Sequence, residues 1–444
     1  MGRKSLSREL AVWINGQRAG EWKIPVRGEE EFHYDADWMK SPEGRPLSLS
    51  LPFSLDNAPI KGRVVAHYFD NLLPDSESIR RKIQSQFGTD FRTTFDLLAA
   101  VGRDCVGAVQ LLPLGEQPGN IRTIDAKPLR EAQIEARLKQ ATSSARLGAL
   151  VEDKCRISIA GAQEKSAFLY HKRKWCEPLG ATPTTHIFKL PLGLVGGRNA
   201  DMRWSVENEW LCSKIIRAYG IPIANCEIGQ FGSQKVLIVE RFDRLLHSSG
   251  KYWLRLVQED FCQVLGVSST RKYEVDGGPG IPDLARVLGG SENREKDLEL
   301  LLKAQIVFWM LAAGDGHAKN FSIRILSQGR YHLTPLYDVI SYWPIVGNGQ
   351  NHIARQDLRM AMAVRGKNKH YRLNEILRRH FNETAALIGI GESAEPLIED
   401  ILKRTPDVVA SMQRETPEGF PQNVFDKILS GLTGSAKKLA AMPA

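Results

Sequence analysis

Ala312-Ala-Gly-Asp-Gly-His-Ala-Lys-Asn-Phe321 is the densest polar cluster in an apolar setting of this 444-residue chain. It follows an apolar helical run, Leu301 to Leu311, and precedes the strand-like Phe321-Ser-Ile-Arg-Ile-Leu. Asp315 and Asn320 stand five positions apart. That interval suits a phosphoryl-transfer loop whose Asp accepts a substrate hydroxyl proton and whose Asn holds a metal ion. Roughly 20 residues on, Leu333-Thr-Pro-Leu-Tyr-Asp-Val sets Asp338 behind a strand, where a second metal-holding carboxylate is needed. Alone, an Asp-Gly-His turn after a helix is often just a capped loop. The reading therefore rests on what accompanies it.

Working outward, Lys189 lies inside the apolar strand His186-Ile-Phe-Lys-Leu-Pro. A lysine in a buried strand is costly unless it meets an anion, and an ATP phosphate is one. Glu209, in the helix beginning Ser205-Val-Glu-Asn-Glu-Trp, is a candidate partner, with Glu207 competing. Val236-Leu-Ile-Val-Glu-Arg-Phe-Asp-Arg is a strand running into a charged turn. The backbone of Glu240 and Phe242 there suits an adenine edge, and Asp243 a ribose. Arg156-Ile-Ser-Ile-Ala-Gly-Ala-Gln-Glu-Lys carries small residues, Ala160 to Ala162, which let backbone approach phosphate oxygens, with Lys165 nearby. It is not GxxxxGK[ST], because Glu164 precedes the lysine. These pieces run from Gly161 to Asp338 in the order of a protein kinase, although HRD and DFG are absent as such.

Composition sets the frame. The chain holds 60 Lys plus Arg against 51 Asp plus Glu, for a net charge of +9, and is 42% hydrophobic and 25% charged. These are ordinary globular values, and they exclude a disordered chain. The longest apolar stretch, Ile306 to Ala313, is too short for a bilayer. The start, Met-Gly-Arg-Lys-Ser, shows no apolar signal core. Six scattered cysteines without CxxC spacing suggest reduced thiols and a cytoplasmic setting. A net +9 permits a nucleic-acid partner without requiring one. Asn15-Gly16 between two alternating stretches predicts a hairpin, and Leu47-Ser-Leu-Ser-Leu continues the period-two pattern. The expected domains are a β-rich module over 1–114, a linker with one helix over 115–152, a smaller kinase lobe over 153–245 and a helical lobe over 246–444.

The chain resembles the HipA family of serine/threonine kinase toxins from HipBA toxin–antitoxin modules. The matching strings include Pro46-Leu-Ser-Leu-Ser-Leu-Pro, Phe69-Asp-Asn-Leu-Leu-Pro-Asp-Ser, Val101-Gly-Arg-Asp-Cys-Val-Gly-Ala-Val, Pro183-Thr-Thr-His-Ile-Phe-Lys-Leu-Pro, Val239-Glu-Arg-Phe-Asp-Arg, Asp276-Gly-Gly-Pro-Gly-Ile and Gly314-Asp-Gly-His-Ala-Lys-Asn-Phe. They span almost the whole chain. The resemblance implies an α+β, protein-kinase-like two-lobed fold with a β-rich N-terminal subdomain and an all-helical C-terminal lobe. It implies ATP and Mg2+ as cofactors and a non-specific serine/threonine protein kinase activity. Asp315 matches the catalytic base, with Lys189 and Asn320 beside it. Asn320 and Asp338 match the magnesium-holding pair, and Lys189 the lysine on the ATP phosphates. Ala160, Gly161, Ala162, Gln163, Glu164 and Lys165 match the phosphate loop. Glu240, Arg241 and Phe242 match the adenine hinge, and Asp243 and His317 the ribose contacts. Ala318, Lys319 and Tyr337 complete the nucleotide-facing set. Ser158 matches a serine that autophosphorylates and silences the kinase.

The resemblance further implies a HipB-like antitoxin dimer carrying two toxins. Operator DNA is reached mainly through that antitoxin, glutamyl-tRNA synthetase is the substrate, and no membrane is involved. Two other readings stand beside this one: a kinase-fold binding module acting as corepressor, and a small-molecule kinase. The basic runs Arg365-Gly-Lys-Asn-Lys-His-Tyr-Arg and Arg378-Arg-His can touch phosphates, but a solvated surface explains them as well.

Overall fold

In the computed structural model, residues 8–87, 93–142, 163–196 and 199–444 are described. Ser158, Ala160, Gly161 and Ala162 lie outside them.

The first sheet is antiparallel. It runs from Ile60–Lys61 at one edge through Glu31–Tyr34, Gln17–Ile24 and Arg8–Ile14 to Val109–Pro113. Its first hairpin turns at Asn15 (φ 45°) and Gly16 (φ 80°), the left-handed pair that a two-residue turn demands. The helices Arg63–Asp70 and Thr94–Val101 cover one face, and Trp22 stacks on Phe69 at 4.1 Å between ring centroids. The expected strand at Leu47-Ser-Leu-Ser-Leu is instead a tight turn with a single bridge, Ser48 to Leu51. Its alternation serves a different end. Both serine hydroxyls donate to the Gln263 carbonyl, and the Leu49 N–H donates to Glu259, so the polar positions bind the second half of the chain.

The second sheet is also antiparallel, in the order Cys226–Phe231, Gln234–Glu240, His186–Lys189, Lys165–His171, Lys174–Pro178 and Ala126–Pro128. The stretch read as a linker thus supplies an edge strand. It also supplies the helix Glu131–Thr142, whose Ile134 and Leu138 pack with Phe168, Phe188, Phe231 and Val236 in a small separate core. Helix Ser205–Ala218 lies behind the sheet.

The larger lobe is built around helix Arg294–Leu311, buried on every side from Ala304 to Leu311, as befits a central helix. Helices Glu395–Glu415 and Gln422–Ala441 pack on it. This lobe is not all helix, however. A three-stranded sheet (Gln258–Asp260, Ser322–Ile325, Tyr331–Leu333) and two hairpins, Arg244–Leu246 with Trp253–Arg255 and Arg359–Arg365 with Lys369–Arg372, interrupt it. These short strands carry the loops around Asp315 and Asp338. Among the described residues, no helix is long and apolar enough to cross a membrane.

Glu259 is fully buried where the first module meets this lobe, and its Oε1 accepts the Leu49 N–H at 2.8 Å. Burial, only partly offset by hydrogen bonds at Ser48 and Leu49, pushes its carboxyl up to about 8. An acid raised above its unfolded value of about 4.3 stabilises the fold fully below that value. The contribution drains away as pH climbs through the folded value. Glu259→Gln keeps an acceptor for Leu49 and cannot ionise. It is expected to melt above wild type near pH 9, with the advantage shrinking toward pH 5. Thermal melts across that range check this, and a pH-independent difference would refute it.

Candidate active site

The loop holding Asp315 exists because helix Arg294–Leu311 must stop. Ala312 turns left-handed (φ 49°), and the Ala313 N–H closes back on the Phe308 carbonyl at 2.8 Å. The two glycines flanking Asp315 are required by contact. A Cβ on Gly314 would sit 2.5 Å from the Arg359 carbonyl, and one on Gly316 would sit 2.6 Å from the Phe308 ring. The chain then makes one 3-10 turn, Ala318–Asn320. The Asn320 Nδ2 donates to the Asp315 carbonyl at 2.8 Å and to the Asp338 carbonyl at 3.4 Å. Its amide group is thereby oriented with both donors committed to backbone and Oδ1 left as the acceptor. The Asp315 side chain is 44% exposed.

Across the cleft, Lys165 and Lys189 are direct cross-strand neighbours, and Lys189 also opposes Leu237. Like charges placed opposite each other repel, so both need anions. The Lys189 Nζ donates to Glu209 Oε1 at 2.6 Å and to Asp338 Oδ1 at 2.8 Å. Lys165 Nζ lies 4.0 Å from Asp338 Oδ2. Glu207 does not compete, because it pairs with Lys235 at 2.6 Å. Burial disfavours the charge on Lys189, but Asp338 and Glu209 outweigh it and raise its pKa. Burial likewise opposes ionisation of Asp338, yet Lys189 and Lys165 hold it well below the usual carboxylate range. Burial also pushes Glu209 upward, against the pull of Lys189. With two carboxylates on one ammonium, the proton belongs to the lysine. Lys165 is lowered, chiefly by burial. Asp338 itself is left-handed, φ 62°, a strained backbone of the kind found at functional sites.

Oxygen donors suit a hard cation, and here Asn320 is held against Asp338, with its Oδ1 uncommitted to the backbone. Among the described residues, no group of three or more His, Cys, Asp or Glu forms an all-protein cage. Two protein oxygens completed by phosphates and water are what Mg2+ accepts. Buried His317 is pushed down in pKa, first by burial. Its Nε2 is 3.9 Å from Asp315 Oδ1, and its Nδ1 has no partner among the described residues. Phe242 and Tyr337 form a tilted ring pair, 5.8 Å apart, below the hinge. Gln163 donates to the Leu190 carbonyl, and Glu164 pairs with Lys82.

Three residues expected at the nucleotide are occupied otherwise. The Asp243 carboxylate is buried and accepts from Arg241 (3.0 and 2.8 Å), Arg244 (2.9 Å) and the Gly107 N–H (2.7 Å). Three of these bonds fall on Oδ2 and one on Oδ1, so the carboxylate is held mainly by structural partners. Arg241 belongs to the same cluster, reaching Thr184 and the Cys105 carbonyl. Lys319 points away, donating to Asn71 Oδ1 at 2.7 Å and to Asp260 Oδ2 at 2.8 Å. It is a buried tie between the Asp315 loop and the first module. Tyr337 also turns its hydroxyl to structure, bonding Ser322 and the Lys319 carbonyl, so only its ring is available. Tyr273 was not expected at the site. Its hydroxyl donates to Asp315 Oδ1.

These features define a two-lobed α+β, kinase-like fold with its polar residues gathered between the lobes. The chain matches the HipA N-terminal domain over residues 10–112 and the HipA-like C-terminal domain over residues 157–409. It belongs to the HipA family. A putative kinase, Y4mE, of Sinorhizobium fredii is 31% identical over 436 residues, covering 97% of this chain and 98% of that protein. The serine/threonine-protein kinase toxin HipA of Shewanella oneidensis is 30% identical over 322 residues, covering 70% of this chain and 69% of that protein. The structure of Shewanella oneidensis HipA with HipB and its operator DNA superposes with a TM-score of 0.77 over 97% of both chains, at 22% identity.

Proposed function

We propose that the chain is an ATP- and Mg2+-dependent serine/threonine protein kinase, the toxin of a toxin–antitoxin pair. The observation that carries this is the convergence of Lys189, Lys165 and Asn320 on Asp338, with Asp315 exposed beside them. Lys189 and Lys165 bind and orient phosphate oxygens. Asp338 and Asn320 hold Mg2+, which neutralises charge on the transferring group. Asp315 orients a substrate hydroxyl and takes its proton. His317 is proposed beside the ribose and the Glu240–Phe242 backbone at an adenine edge, with the rings of Phe242 and Tyr337 nearby.

The likeness to the Shewanella toxin, whose structure holds HipB and operator DNA, supports a HipB-like antitoxin and operator DNA as partners; an antitoxin dimer carrying two toxins, with this chain as corepressor, is proposed with them. Glutamyl-tRNA synthetase is the proposed substrate and the cytoplasm the proposed setting. Ser158 is proposed as an autophosphorylation site. Phosphorylation there adds close to two negative charges, which would seek basic partners. Ser158→Ala is expected to phosphorylate other proteins while failing to label itself. Phosphosite mapping by mass spectrometry checks this, and self-labelling elsewhere with Ser158 unmodified would refute it. Phosphoproteomics of cells expressing wild type against Asp315→Asn identifies the target.

A further inference from the structure

We propose that Tyr273 is a positioning residue for the base: its phenol fixes one oxygen of Asp315 so that the other is presented to the substrate hydroxyl. The inference rests on the kinase reading above. Asp315 sits at the tip of a glycine-flanked loop with a half-exposed side chain, where a carboxylate left alone would rotate. Among the described residues, the hydroxyl of Tyr273 is the one donor to that carboxylate, and it takes Oδ1. His317 Nε2 approaches the same oxygen at 3.9 Å, and its ring meets Tyr273 edge-on at 4.9 Å. One oxygen is therefore enclosed, while Oδ2 is left for the substrate.

The phenol can do this because its own segment is anchored. The Tyr273 carbonyl accepts from the Asp276 and Gly278 N–H groups, at 3.1 and 2.9 Å. Gly278 is obligatory in that fold-back, since a Cβ there would lie 1.9 Å from the Arg271 carbonyl. On one side, Lys272 pairs with Asp75 at 2.9 Å and its carbonyl receives the Ala318 N–H. On the other, buried Glu274 accepts from the Ala363 N–H at 2.7 Å, from Arg365 at 3.2 Å and from Lys369 at 2.9 Å. Burial and the neighbouring Asp315 push the phenol pKa far up, so it keeps its proton throughout. The proton leaving the substrate hydroxyl goes to Asp315, and Tyr273 gives up none. The arrangement supplies orientation, where a small misplacement costs a large share of the rate.

Tyr273→Phe keeps the ring against His317 and deletes only the hydroxyl. Phosphate transfer from labelled ATP is expected to lose kcat by about 10- to 100-fold. KM for ATP, the melting temperature and the shift of that temperature by ATP with Mg2+ should match wild type. A kcat equal to or above wild type would overturn the inference, since a rise would mean that the phenol blocks the hydroxyl's place. Phosphate found on Tyr273 in wild type, or an equal loss of ATP binding, would overturn it too. A wild type that transfers no phosphate refutes the kinase reading and this inference together. A wild type that transfers while Tyr273→Phe equals it refutes this inference alone.

Discussion

Phosphate transfer by the Asp315→Asn variant is expected to fall about 10²- to 10⁴-fold, the range that a positioned proton acceptor contributes. Folding and ATP binding should persist. The reason lies in how charge is distributed across the cleft. Asp315 compensates no buried cation, because Lys189 and Lys165 are answered by Asp338 and Glu209. The amide that replaces the carboxylate still accepts from Tyr273. Asp338→Asn would be a poor substitute as a test, since it leaves two buried lysines short of an anion. Initial rates with labelled ATP, together with melts taken with and without ATP, separate chemistry from binding. Undiminished transfer by Asp315→Asn would show that the base is elsewhere.

The second large effect is on stability. Asp104→Ala should destabilise the protein by about 3–5 kcal/mol, the cost of stripping the partner from buried charges. Asp104 Oδ1 meets Arg244 at 3.0 Å and Arg255 at 3.1 Å, while Oδ2 meets Arg241 at 3.4 Å and the Thr184 hydroxyl at 2.7 Å. All three guanidinium groups are at most 2% exposed. Without Asp104 they face one another with Asp243 alone between them. Burial opposes the charge on both aspartates, but the arginines prevail and depress both carboxyls. An acid depressed in the folded state contributes stability above its unfolded value of about 3.9. That contribution is lost as pH falls below it toward the folded value. Wild type should therefore weaken steeply below about pH 4, and Asp104→Ala less steeply. Urea titrations at several pH values measure both. A midpoint unchanged by the substitution would contradict the cluster's role.

This cluster also shows where sequence reading stops. That Lys189 meets carboxylates and that Asp315, Asn320 and Asp338 come together was legible, because a lysine in an apolar strand needs an anion and because the loop spacing is local. The Asn15-Gly16 hairpin was legible for the same reason: a turn's backbone demands are written in adjacent residues. The ties made by Asp104 and Lys319 escaped the sequence because their partners are remote. Asp104 is 137 positions from Arg241, and Asn71 is 248 from Lys319. No local pattern shows that Asp243, bonded by its neighbours Arg241 and Arg244, also receives the Gly107 N–H from 136 positions away. The same holds for Leu47-Ser-Leu-Ser-Leu, whose alternation reads as a strand but serves a turn docked on Gln263. Tyr273 escaped notice because it stands 42 residues ahead of the aspartate it holds. The nearby Asp276-Gly-Gly-Pro marked a turn without saying what the turn positions. The matching strings at Val101 and Val239 turn out to meet in one buried ion cluster that joins the first module to the hinge.

The central claim is that this cleft moves phosphate with a divalent cation held by Asp338 and Asn320. Its most direct test is incubation of the purified chain with γ-labelled ATP and Mg2+, with and without EDTA, with Asp315→Asn run in parallel. The account predicts label on protein for wild type with Mg2+, none with EDTA, and labelling slowed about 10²- to 10⁴-fold with Asp315→Asn. Label that survives EDTA, or that Asp315→Asn incorporates as fast as wild type, would contradict it.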